Sequence, residues 1–207
     1  MGGDFYQYYP LPGGRLAVGM ADVTGHAMDA AIPAVMFSGI LDSQMRAGCE
    51  LETVFGRLNE VLCERLTGRT HVALVMCEID GRTGRLRCAD AGCPYPCHYH
   101  GATREITEVG LDAYPLGVRR DTAYRALEAR LQPGDYLVLY SDDIAETGNP
   151  ASELFGFERT VATIQDACAQ GLSPEEVVKH LVTVARSFAG QAPQADDMTC
   201  VVLRMMR

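Results

Sequence analysis

Residues 70–91 read THVALVMCEIDGRTGRLRCADA. The stretch from 70 to 79 is rich in Val, Leu and Ile and reads as a strand. Asp80-Gly81-Arg82-Thr83-Gly84 is a turn, and residues 85–91 continue as the antiparallel partner. A hairpin in mid-chain limits what its flanks can be. Upstream, the period changes from two to 3.6. Leu51, Val54, Phe55, Leu58, Val61 and Leu62 predict a helix over 51–66. Before it, Ile32, Val35, Met36, Ile40 and Leu41 predict a less regular helix over about 29–47. At the start, residues 4–9 and 15–21 read as two strands around Pro12-Gly13-Gly14. Downstream, short strands are expected at 97–100, 105–109, 123–130 and 136–140, then a helix over about 157–169 ending at Gly171. Ser173, Pro174 and Glu176 spell a capping box for the last helix, with Leu172 and Val177 as its staple. Residues 199–205 form the final strand. Strands, two helices, strands, two helices and a strand do not alternate as a doubly wound parallel fold does. The order predicts an α+β fold of mostly antiparallel sheets with helices packed outside, as one domain over 1–207.

The composition narrows the function. Among 207 residues, 27 acidic and 18 basic side chains leave a formal net charge of −9. Nucleic acid and anionic membrane both need a surplus of Lys and Arg, so neither is an expected partner. No apolar run reaches the roughly 18–20 residues that cross a bilayer. Met1-Gly2-Gly3-Asp4 lacks the basic and apolar regions of a signal peptide, so the expected location is the cytoplasm. The eight cysteines are expected as reduced thiols. Cys63, Cys77 and Cys200 fall inside apolar periodic segments, where they act as small hydrophobes.

Four strand ends carry acids beside small or flexible residues. Asp4 opens the first strand and Asp22 closes the second. Asp142 and Asp143 follow the apolar strand 136–140, and Asp196 and Asp197 precede the last strand. A carboxylate at the end of a sheet is rigidly held yet reachable. Hard divalent cations take oxygen ligands and keep several waters, so a few such acids suffice. Spacing alone also fits turn formers and helix caps.

Six motifs occur in order: Gly2-Gly3-Asp4-Phe5, Asp22-Val23-Thr24-Gly25-His26-Ala27, Ala89-Asp90-Ala91-Gly92, Leu131-Gln132-Pro133-Gly134-Asp135, Ser141-Asp142-Asp143-Ile144-Ala145-Glu146 and Asp196-Asp197-Met198-Thr199. Together they resemble the bacterial branch of the PPM-type protein phosphatases, the stage II sporulation protein E family, over nearly the whole chain. The resemblance implies a sandwich of two antiparallel sheets flanked by helices. It implies a metal-dependent protein serine/threonine phosphatase using two divalent cations, Mn2+ or Mg2+. Asp22 would bridge them and the Val23 carbonyl would bind one. Asp142 and Asp196 would ligate the other, and Asp4 would act mainly through metal-bound water. Asp197 ranks second as a ligand. A bridging water or hydroxide would attack phosphorus in line without a phosphoenzyme. The implied substrate is a phosphorylated protein of the anti-sigma-factor antagonist type, and an upstream sensor or receiver domain would control the activity. On this reading the chain is the C-terminal output domain of a longer signalling protein and lacks its first strand. A homodimer stays open.

Three residues depart from the family pattern: Asp143 for the usual Gly, Cys93 for His, and Ala27 for Gly. None removes an expected ligand. Asp143 and Cys93 support the alternative, a catalytically degenerate domain kept as a protein-binding adaptor. Nucleotidyl transfer is weaker, since nothing after Asp22 supports it. His26, in the loop after Asp22 with Gly25, could contact metal water or protonate the leaving oxygen, against a bracing role in the loop. Asn59 is expected to make a structural hydrogen bond and Glu146 to anchor the loop after Asp142. Cys93-Pro94-Tyr95-Pro96-Cys97-His98-Tyr99-His100 has soft-metal residues but no second cysteine pair, so it reads as a hairpin segment rather than structural zinc.

Overall fold

The computed structural model describes residues 3–24, 28–66, 70–192 and 197–206, without the side chains of 28–31. Its contacts divide the chain into two compact units. The first is Met1–Tyr95 with Gly110–Ala129, and the second is Pro96–Val109 with Arg130–Arg207.

The first unit is built on a sheet of order β1-β2-β3-β4-β7, from β1 (Asp4–Leu11), β2 (Arg15–Val23), β3 (Val72–Asp80), β4 (Arg85–Ala91) and β7 (Ala126–Arg130). β1–β2, β2–β3 and β3–β4 pair antiparallel, and the 70–91 hairpin closes with Leu74 opposite Ala91 and Ile79 opposite Leu86. Two helices cover one face, α1 (Met28–Arg46) and α2 (Leu51–Arg65). α2 buries the stripe expected from its period, Leu51, Val54, Phe55, Leu58 and Leu62. These join Ala17, Ala21, Leu74, Met76, Ala89 and Ala91 in one apolar cluster, every second residue of each strand.

α1 is phased differently from the sequence reading. Among its described side chains Phe37, Leu41 and Met45 are buried, at i, i+4 and i+8, whereas Ile32 and Val35 are 72% and 75% exposed. The helix carries apolar side chains over much of its circumference, so periodicity did not single out the packed stripe. The Tyr9 hydroxyl donates to Asp42 at 2.9 Å and pins α1 to the edge strand.

The second unit is built on a sheet of order β6-β5-β8-β9, from β5 (Cys97–Tyr99), β6 (Ile106–Glu108), β8 (Tyr136–Tyr140) and β9 (Cys200–Arg204). Its pairings are antiparallel. α4 (Phe157–Ala169) and α5 (Pro174–Ala189) bury Ile164, Ala167, Val177, Leu181 and Ala185 against Cys97, Tyr99, Tyr136, Val138 and Tyr140. Ser173 caps α5: its hydroxyl accepts from Glu176 N–H while the Glu176 carboxylate accepts from Ser173 N–H. Leu172 and Val177 share the same cluster, as a staple requires. Gly171, at φ 72°, ends α4 in the left-handed region.

A short helix, α3 (Asp142–Ala145), follows β8 directly and was read in sequence as loop. The Leu131–Asp135 motif is a turn with Pro133 and Gly134 (φ 98°) in its centre, and Asp135 N–H donates to Gln132 O at 2.9 Å. Cys97 belongs to the apolar cluster and β5–β6 is a hairpin, so the sulfur of Cys97 serves the core.

Candidate active site

In the first unit the β1–β2 register sets Asp4 directly opposite Asp22. Residues opposite each other in a sheet project to the same face, so both carboxylates stand on one side of this edge. The strand ends are tied by Val23 N–H donating to Gly3 O at 3.2 Å. Gly3 is glycine for a steric reason. A Cβ there would run into the Val23 carbonyl oxygen and come within 2.8 Å of an Asp22 carboxylate oxygen. The Gly-Gly-Asp spelling thus makes room for the carbonyl and carboxylate of the second motif.

Thr24 holds the chain after Asp22. Its N–H and hydroxyl both donate to His71 O at 3.1 Å, and its hydroxyl accepts from His71 N–H at 2.8 Å. The chain entering β3 therefore clamps the exit of β2. Gly25 and His26, named as secondary candidates, lie outside the described residues.

Asn59 makes the structural contacts expected of it. It is 1% exposed on α2, donates to Arg119 O and Arg120 O at 2.9 and 3.1 Å, and accepts from Gly117 N–H at 2.9 Å. One side chain thereby fixes the turn at 117–120 on the helix.

In the second unit, Asp142 and Asp143 occupy the first turn of α3, both part-buried. Ser141, just before them, is buried. Its N–H donates to Thr199 O at 2.9 Å and its hydroxyl accepts from Thr199 N–H at 3.1 Å. This reciprocal pair, continuous with Tyr140 opposite Cys200, brings the Asp142 segment beside the Asp197 segment. Asp197 is exposed, and Asp196 lies outside the described residues. The exposed Glu146 closes the α3 turn through its backbone, whose N–H donates to Asp142 O at 2.8 Å. Thr147 adds a hydroxyl bond to Asp143 O at 2.9 Å.

Two acids carry more than the sequence reading assigned to them. Asp90, near the end of β4, is 3% exposed; one oxygen accepts from Gly92 N–H at 2.8 Å and the other has no hydrogen-bond partner among the described residues. Burial pushes its carboxyl up to about 7, against the pull of the Gly92 and Cys93 N–H groups, and Asp112 adds to the rise. The available signal was an ionisable residue in alternation with Leu86 and Cys88, both fully buried. Asp135, 2% exposed, accepts from Gly101 N–H and Gln132 N–H, each at 2.8 Å, and meets His98 Nε2 at 2.8 Å. Burial opposes its ionisation, but these hydrogen bonds win and hold it below the usual carboxylate range. No spacing rule links residues 37 apart, so sequence had no signal for that pair.

The oxygen groups each unit offers are of the kind hard cations take. In the first unit these are the Asp4 and Asp22 carboxylates and the Val23 carbonyl, seated against a bare glycine. In the second unit they are the carboxylates of Asp142 and Asp197.

A sequence model of the family described as Stage II sporulation protein E (SpoIIE) matches residues 12–206. The phosphoserine phosphatase RsbU of Bacillus subtilis (strain 168) is 23% identical over 206 residues, 99% of this chain and 59% of that protein. The chain thus spans about three-fifths of the length of this curated relative. Among solved structures, the SiaA-PP2C domain of Pseudomonas aeruginosa superposes with a TM-score of 0.85 at 24% identity, covering 98% of this chain and 80% of that one. The PP2C phosphatase domain of the cell fate determinant SpoIIE from Bacillus subtilis, solved with a fragment of its regulatory domain, gives 0.81 at 21% identity. It covers 98% of this chain and 58% of that one. These likenesses show the PP2C phosphatase fold, and with a family match over nearly its full length the chain belongs to the stage II sporulation protein E family.

Proposed function

We propose that this chain is a divalent-cation-dependent phosphatase that hydrolyses phosphoserine or phosphothreonine on a partner protein in the cytoplasm. The observation that carries the reading is the placement of Asp4 opposite Asp22 at the β1–β2 edge, with Gly3 leaving room for the Val23 carbonyl. Asp4, Asp22, Asp142, Asp196 and the Val23 carbonyl would hold two Mn2+ or Mg2+ ions, with Asp197 as a further ligand. When bound, such ions neutralise phosphate charge and make water a stronger nucleophile at neutral pH.

The chain's own part is positional. Gly3, Thr24 and Ser141 are the residues whose hydrogen bonds and missing bulk fix the acidic segments. Asp143 adds a further negative charge one residue beyond a ligand, which favours an extra cation over a bare phosphate at that point. Family membership supports a phosphorylated regulatory protein of the anti-sigma-factor antagonist type as substrate, and control by a sensor or receiver domain in the same signalling protein.

The test is turnover of p-nitrophenyl phosphate and of a phosphoserine peptide by the full chain. Hydrolysis should require added manganese and vanish in Asp22→Asn. Turnover that survives chelation would overturn the reading. An intact fold with neither turnover nor heat of manganese binding would show the protein-binding adaptor instead.

A further inference from the structure

His98 and His100 are two residues apart at the end of β5, so their side chains leave the strand on the same side, opposite to Cys97 and Tyr99 of the apolar cluster. Their ring centroids are 3.9 Å apart. Asp135, at the entry to β8, completes a group. Donor atoms of His98, His100 and Asp135 all lie within 4.8 Å of one another, and among the described residues no other set of His, Cys, Asp or Glu is gathered this tightly.

We infer that His98, His100 and Asp135 form a binding site for a zinc-class divalent cation, separate from the carboxylates of the phosphatase site. Zinc bonds to nitrogen and oxygen run about 2.0–2.2 Å, so in a tetrahedral site neighbouring ligand atoms stand roughly 3.3–3.6 Å apart. His98 Nε2 and Asp135 Oδ2 stand at hydrogen-bond distance, 2.8 Å, and part by only about half an ångström to take the ion between them. Two imidazoles and one carboxylate suit zinc, nickel or copper rather than magnesium, which prefers oxygen. With three protein ligands, a fourth position stays open to water.

The surroundings are those of a built site. Asp135 is oriented by Gly101 N–H and Gln132 N–H, which leave the carboxylate face toward His98 for the cation. Such outer hydrogen bonds fix a ligand's direction and raise its affinity. His100 bonds Thr107 Oγ1 at 2.9 Å across the β5–β6 hairpin. His98 and Asp135 are 2% exposed, while His100 is part-exposed and gives the ion its way in. Burial depresses the proton affinity of His98, keeping the imidazole neutral and available. In the metal-free state the neutral imidazole with its proton on Nε2 donates to the Asp135 carboxylate; on binding that proton moves to Nδ1 and the cation takes its place. No net proton need be released. The bound ion would tie the β5–β6 hairpin to the turn before β8.

The probe is zinc alone, added to the metal-stripped full chain. At zinc about a hundredfold above its dissociation constant, the melting temperature should rise by roughly 5–10 °C, with one equivalent bound. The rise should persist in Asp22→Asn, whose phosphatase site is removed, so failure here and failure of the phosphatase reading are separable. It should disappear in His98→Ala and in His100→Ala; the second is the safer variant because His100 is part-exposed. No effect of zinc on the wild type, a rise that survives His100→Ala, or one lost in Asp22→Asn would each overturn the proposal.

Discussion

Asp90 shows how one buried atom pair makes stability depend on pH. Its carboxyl is pushed up to about 7 by burial, while an aspartate in unfolded chain titrates near about 3.9. Between those values the native chain keeps a proton that the unfolded chain has released. Stability therefore falls as pH rises from about 4 to about 7 and is level above, by at most about 4 kcal/mol. Asp90→Asn keeps an oxygen for Gly92 N–H and cannot ionise. In urea denaturation at several pH values, the variant should gain on the wild type from about pH 4 to about pH 7 and hold that gain above. Parallel curves would show that Asp90 does not titrate in this range. At this scale the sequence was legible for Asn59, read as a structural hydrogen-bonding residue, while Gly3 and Thr24 stood only as members of motifs whose steric and hydrogen-bonding reasons the structure supplies. It was not legible for Asp90, because one acid in an apolar strand reads the same whether its carboxyl is buried or solvated.

At the scale of elements, the strands and the helices α2, α4 and α5 were legible because each has a strong local signal, and α1 was legible as a helix but not in its packed face. Period two marks β3 and β4, a 3.6 period marks α2, and the Ser173–Glu176 box marks α5. What escaped lacks such a signal. α3 has four residues, too few to show a period, and α1 is apolar around much of its surface. The segment 110–123 has little regular structure and is held by side chains from elsewhere, chiefly Asn59, with Leu116 bridging to Val72. Asn59→Ala would leave Gly117 N–H and the Arg120 carbonyl without their Asn59 partner, while the Arg119 carbonyl keeps the Thr122 hydroxyl. Each such loss costs about 1–3 kcal/mol when the group stays buried, less if water enters. A melting temperature lower by roughly 4–8 °C is expected for a loss near 2 kcal/mol in a chain this size. An unchanged melting temperature would mean the turn does not depend on Asn59.

For the whole molecule, the order of elements and the absence of strict β–α alternation were enough to read an α+β fold with mostly antiparallel sheets, and six ordered motifs were enough to read the family. The division into two compact units was not legible, since the second unit takes 96–109 from within the first unit's span without any linker composition to mark it. The proposed ligands are Asp4, Asp22, Asp142 and Asp196. Anomalous diffraction from manganese-soaked crystals tests their common use most directly. The account predicts two peaks about 3.5–4 Å apart, bridged by Asp22, with Asp142 and Asp196 on one of them. Peaks bound by Asp4 and Asp22 alone, or no peak at Asp22 at saturating manganese, would contradict it.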